Sequence, residues 1–230
     1  MNLIAIDKAK AFPKEVWIGW ISSLVEAYNI AIYSFIAPLL APFLFQQTTA
    51  WGSIFFSYSL VFLGSCLLYP AGAIYYGLIG DRYGRQKICV YSTLGLAIAT
   101  GLMGFISIHL LKDGWIYFLV LICAQHFFSG GEYHGSIVFS LKHSEQKQNG
   151  LMSSLSCLFA VFGLALANGL ATLSLVMQDE FWIRACFLIG GTGGLISYFL
   201  KNHYRETPSF CTLNPALLKE VKWFVFIKQE

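Results

Sequence analysis

Two glutamates stand where an apolar chain has the least use for charge. Glu26 lies within a hydrophobic run that begins near Val16, and Glu132 within another that ends near Leu141. An ionisable group in hydrocarbon is costly enough to mark a site by default. The chemistry it offers there is narrow: it exchanges a proton, or it pairs with the cationic end of a solute or ion. Each acid also has polar company at helical spacing. Ser22, Glu26, Asn29 and Tyr33 recur at intervals of 4, 3 and 4, and Gln125, Ser129, Glu132 and Ser136 repeat those intervals. Such spacing puts each set on one helix face. Polar residues on facing helices also serve as interhelical hydrogen-bond glue, typically for about 1 kcal/mol. For a single acid that plainer role would suffice, but two acids on matching stripes favour a path for a solute or a proton. Tyr33 and Tyr133 stand close enough to the acids to line the same cavity.

Other candidates carry less. His126 falls one position off its stripe and reads as a packing or interhelical partner, while His109 and His134 support no assignment. Arg184 sits at the end of an apolar run, where a long side chain reaches back to water. The stretch "GGTGG" (Gly190 to Gly194) lacks the lysine and the strand–helix setting of a phosphate loop and instead allows close helix contact or a flexible bend. The sequence has no HExxH, no GxSxG and no cysteine pair at metal-ligand spacing. Neither an enzyme nor a cofactor is expected.

These side chains need a frame that holds them in lipid. The chain is 57% hydrophobic and only 12% charged, against about 25% charged in soluble domains. Crossing the hydrocarbon takes about 20 predominantly apolar residues. Six spans meet that need: 16–45, 53–76, 88–110, 115–141, 151–177 and 181–200. Three regions follow: an N-terminal tail (1–15), a six-helix membrane domain (16–200) and a second tail (201–230). Thirteen of the 15 lysines and arginines fall in the two tails and in the connections after spans two and four. Only Lys112 and Arg184 fall on the other side, so both termini are expected in the cytoplasm. At about 1.5 Å per residue, Glu26 and Glu132 each lie about 15 Å from the inner surface, on helices of opposite direction. Matched polar stripes on opposed helices are what a 3+3 inverted repeat would produce.

One connection is unlike the rest. "GLIGDRYGRQK" (Gly77 to Lys87) closely resembles the cytoplasmic signature G-x-L-x-D-R-x-G-R-[RK] between helices two and three of the major facilitator superfamily. Gly77, Asp81, Arg82, Gly84 and Arg85 fall on its positions, and Lys87 supplies the basic end. "SGGEYHGS" (Ser129 to Ser136) and "RETPSF" (Arg205 to Phe210) resemble the metabolite–proton symporters of that superfamily, which carry osmolytes such as proline and betaine as well as organic acids. Asn29 stands where that family commonly has an acid, and Tyr69 where it has an arginine.

The resemblance implies an all-α integral membrane protein, half of a twelve-helix transporter, in a bacterial inner membrane. It implies proton-coupled alternating access for a small polar solute. Glu26, Asn29, Tyr33, Gln125, Ser129, Glu132 and Tyr133 would line the solute and proton path. Gly77, Asp81, Arg82, Gly84, Arg85 and Lys87 would form a conformational latch. With no arginine at the midplane, a zwitterion is favoured over a polycarboxylate. The expected partners are a C-terminal six-helix half or a second copy, with no nucleic acid. The alternatives are a truncated, inactive fragment of a split gene, or a half that works only with a separately encoded partner.

Overall fold

A computed structural model of the chain describes residues 14–44, 50–83, 85–105, 114–142, 149–177 and 179–202. All of these but Asp179 are helical, and the described residues include no strand. Helix α1 spans Lys14–Leu44, α2 Ala50–Leu63, α3 Tyr69–Tyr83, α4 Arg85–Phe105, α5 Gly114–Lys142, α6 Asn149–Met177 and α7 Glu180–Asn202. A π-helical turn, Gly64–Leu68, joins α2 to α3 into one rod. Helix α1 runs through Pro38 and Pro42 to Leu44.

Polarity runs opposite to that of a protein built for water. Trp51, Val176, Phe62 and Phe55 are among the most exposed large side chains, whereas Glu26, Asn29, Gln125, Glu132 and Lys201 are buried. Among the described residues, five stretches are long and apolar enough to cross a membrane: Val16–Pro42, Trp51–Gly80, Lys87–Phe105, Gly150–Met177 and Glu180–Asn202. The inner face of α5 carries the buried Gln125, His126, Ser129 and Glu132.

The charged connection is tighter than its sequence suggests. Gly77–Tyr83 forms the last two turns of α3, and α4 already begins at Arg85. Only Gly84 separates them, so the signature decorates two helix ends rather than a loop. Arg82 and Lys87 are exposed. A side chain at Gly77 would meet no atom within 4 Å. The side chains of Asp81 and Arg85, and Gly84 itself, lie outside the described residues.

Close helix crossings set the geometry. A Cβ at Gly130 would fall 2.2 Å from the Tyr69 carbonyl oxygen, and one at Gly72 would fall 1.9 Å from that of Phe127. Glycine at both positions therefore lets α3 and α5 pack backbone to backbone. Helices α4 and α7 meet in the same way, with Gly191 against Gly101; this is the contact expected of "GGTGG". Between α1 and α6, Trp20 stacks on Phe159 with ring centroids 5.7 Å apart, above Val16 and Met152. A larger apolar cluster, including Ile32, Ile36, Leu40, Phe118, Ile122 and Phe187, closes the other end of the bundle.

Candidate functional site

The two polar stripes face each other across the α1–α5 contact. Ser22 donates to Glu132 Oε1 at 3.1 Å, Ser129 donates to Glu26 Oε1, and Gln125 Nε2 donates to the Asn29 backbone carbonyl. The three rungs lie about one turn apart, in the order that antiparallel helices require. Periodicity had put these residues on one face of each helix; packing makes the faces partners. Tyr33 continues the face into apolar surroundings, with its ring 5.9 Å from that of Phe118. The side chains of Tyr133 and Ser136 lie outside the described residues.

The acids are not level, contrary to the matched depth expected from the sequence. A symmetric register would set Glu26 opposite Glu132 and Asn29 opposite Ser129. The observed rungs are displaced from it by about four residues, or about 6 Å of relative slide. Each carboxylate thus meets a serine hydroxyl, and the two acids do not stand directly opposite one another.

Glu132 has a partner that the sequence reading did not supply. Lys201, in the last turn of α7, places its Nζ 2.8 Å from Glu132 Oε1, and both side chains are at most 1% exposed. The sequence reading counts Lys201 among the cations of the second tail, but the structure buries it inside the bundle. Its ammonium also donates to Thr93 Oγ1 on α4 at 2.8 Å, and Ser22 lies 3.0 Å from Ser197 on α7. Four helices therefore converge on one ion pair. The sequence places Ser197 and Lys201 four apart on α7 and Thr93 and Thr100 seven apart on α4, each pair on one face, but nothing in that spacing points Lys201 to Glu132.

Glu26 is held differently. Among the described residues it makes no ion pair, and Ser129 is its hydrogen-bond donor. It forms part of the wall of a cavity of about 240 Å³, with Ala27, Ile30, Tyr69 and Leu164. That volume lies just below the roughly 300–1,000 Å³ of small-molecule sites, here walled by α1, α3 and α6 alone. Tyr69, the position at which the resembled family has arginine, faces the same space.

Deeper in, Gln125 Nε2 also donates to Thr100 Oγ1 at 2.9 Å. Both side-chain polar atoms of Asn29, together with Gln125 Oε1 and Glu132 Oε2, have no partner among the described residues. His126 behaves as a packing residue: its Nδ1 donates to the Ile122 carbonyl at 2.9 Å, and its ring lies against Gly64 in the π turn. Arg184 does more than anchor. Its Nε and Nη2 each donate at 3.1 Å, to the carbonyls of Gly104 and Phe105, and so cap the end of α4 from α7. No group of three or more metal-ligating side chains occurs among the described residues.

Known proteins resemble this chain over most of its length. The family model described as Major Facilitator Superfamily matches residues 19–225. A "Proline/betaine transporter" of Salmonella typhimurium is 28% identical over 220 residues, covering 91% of this chain and 43% of the relative. The protein of the same name from Escherichia coli K12 is 29% identical over the same coverage. A "Glycine betaine/proline/ectoine/pipecolic acid transporter" of Dickeya dadantii is 28% identical, over 86% of this chain and 40% of the relative. The chain spans less than half the length of each of these relatives.

Proposed function

The chain belongs to the Major Facilitator Superfamily, and we propose that it forms the N-terminal half of a proton-coupled symporter for a small zwitterion of the proline or betaine kind. It is a membrane transport protein built of apolar helices. On this reading α5 is a sixth span, and the six rods form a 3+3 inverted repeat with both termini in the cytoplasm of a bacterial inner membrane. The packing pattern supports the repeat. Exchanging the first three rods for the last three turns the α1–α6 contact into the contact of α5 with the α2–α3 rod, and both contacts are extensive. The α4–α7 contact maps onto itself.

One observation carries the functional reading. Glu26 is a buried acid with no ion pair among the described residues, at the wall of a cavity walled by this half alone. A carboxyl group so placed can receive a proton from the membrane side, or meet the cationic end of a zwitterion. Asn29, Gln125, Ser129 and Glu132 form the polar wall behind it, with Tyr33 at one end, and Tyr133 would join them along the path. A second six-helix half, in the same or another polypeptide, would close the cavity. The ends of α3 and α4, with Gly77, Asp81, Arg82, Gly84, Arg85 and Lys87, would latch against that half as access alternates.

The test is uptake of radiolabelled proline or betaine by cells lacking their own osmolyte carriers, with the chain expressed together with a candidate second half. Uptake that requires both halves, collapses with an uncoupler and falls to background in Glu26→Gln is expected. Full accumulation by Glu26→Gln, or none by the paired native halves, would overturn the reading.

A further inference from the structure

The buried acids have unequal surroundings, and Lys201 accounts for the difference. Glu132 Oε1 receives the Lys201 ammonium at 2.8 Å and the Ser22 hydroxyl at 3.1 Å. Lys201 is itself fully buried, and its ammonium is also engaged by Thr93. Removing a charge pair from water is repaid only when geometry and additional hydrogen bonds are good; here Oε1 and the ammonium are well served, while Glu132 Oε2 has no partner among the described residues. Glu26 has a serine donor and a cavity, but no cation at ion-pair distance among the described residues.

We infer that Lys201 is a positioning residue that divides the work of the two acids. It locks Glu132 as a closed ion pair at the junction of α1, α4, α5 and α7, and leaves Glu26 as the acid open to the cavity. The inference deepens the transport reading, since it says which acid serves that path. Glu132 then fixes the register of α5 against α1 and α7, so that Ser129 presents its hydroxyl to Glu26. Lys201 acts on solute handling through these contacts.

The consequence is chemical and can be read without any solute. Dicyclohexylcarbodiimide, an apolar reagent, modifies protonated carboxyl groups inside membranes. A buried carboxylate deprived of its cation neutralises by taking up a proton, and so becomes a target. The full chain in detergent is treated with the reagent, and modification at each glutamate is read by peptide mass spectrometry. In native protein and in Lys201→Arg, modification is expected at Glu26 and not at Glu132. In Lys201→Met, modification of Glu132 is expected to rise about tenfold or more, the scale set by breaking a buried pair, while that of Glu26 stays within about twofold.

Equal modification of both acids in native protein would overturn the inference. So would a rise at Glu26 in Lys201→Met as large as that at Glu132. Should Lys201→Met fail to fold, Lys201→Met combined with Glu132→Gln removes both charges, and replacing a buried pair together is far better tolerated than breaking it. That double variant is expected to elute as a monodisperse species with Glu26 modified as in native protein. Loss of modification at Glu26 in the folded double variant would refute the division of work. If the paired native halves take up no proline or betaine, the transport reading fails, while the labelling pattern still decides the role of Lys201.

Discussion

Replacing Gly130 by alanine isolates the crossing that brings α5 to its partners. The new Cβ would fall 2.2 Å from the Tyr69 carbonyl oxygen and 2.6 Å from the Ala73 nitrogen. Both are backbone atoms, so no side-chain rotation relieves the contact. Carbon and oxygen settle at about 3.2–3.4 Å, so α3 and α5 must part by about 1 Å. Overpacking of this kind costs about 1–3 kcal/mol, and the helical preference of alanine over glycine returns at most about 0.5–1 kcal/mol. A net loss of up to about 2.5 kcal/mol remains. At about 2–4 °C per kcal/mol for a chain of this size, the melting temperature in detergent falls by up to roughly 10 °C. Gly169→Ala is the control, because a side chain on that exposed turn of α6 meets nothing within 4 Å. It is expected to leave melting unchanged or raise it slightly. Thermal loss of the helical circular-dichroism signal measures both. If Gly130→Ala melts with Gly169→Ala or above it, the backbone-to-backbone crossing is wrong, and with it the placement of Ser129.

Three further outcomes follow from contacts between helices. Arg184→Met removes two charge-assisted bonds to the last carbonyls of α4, worth about 1.5–3 kcal/mol each at most; amide exchange at 102–105 should quicken, and Arg184→Lys should slow it again in part. Tyr28→Phe deletes the 2.8 Å bond from α1 to the Cys186 carbonyl on α7 and should cost about 1 kcal/mol; an unchanged melting temperature would refute that bond. Gly163→Val would drive its Cβ to 2.1 Å from the Leu24 carbonyl oxygen. It should destabilise the α1–α6 pair more than Gly130→Ala destabilises the α3–α5 pair, as the same melt would show.

Much of the bundle was legible in the sequence because lipid leaves a chain few choices. Apolar runs gave the rods, and the 4-3-4 spacing of Ser22, Glu26, Asn29 and Tyr33 gave a face that does meet its counterpart on α5. Three features were not legible, each for a physical reason. Lys201 closes an apolar run, where snorkelling to water is the ordinary outcome; only Glu132, 69 residues earlier in the chain, turns it inward. The signature residues looked like a loop because they are charged, yet charge is compatible with helix, and α3 runs to Tyr83. The π turn at Gly64–Leu68 leaves no periodic mark, since it shifts a helix by a single residue within an apolar run whose pattern is already weak.

The displaced rungs between α1 and α5 have a consequence for how the bundle finds itself. Both stripes use the same 4-3-4 spacing, so polar groups would meet in two alignments, the observed one and another about one turn away. In the second, Glu26 would confront Glu132 directly, and Lys201 would have two acids to serve. Periodicity alone cannot choose between them, but the close glycine crossings and the repulsion between the acids both favour the observed alignment: the same two charges that are costly to bury also tell α1 where to stop.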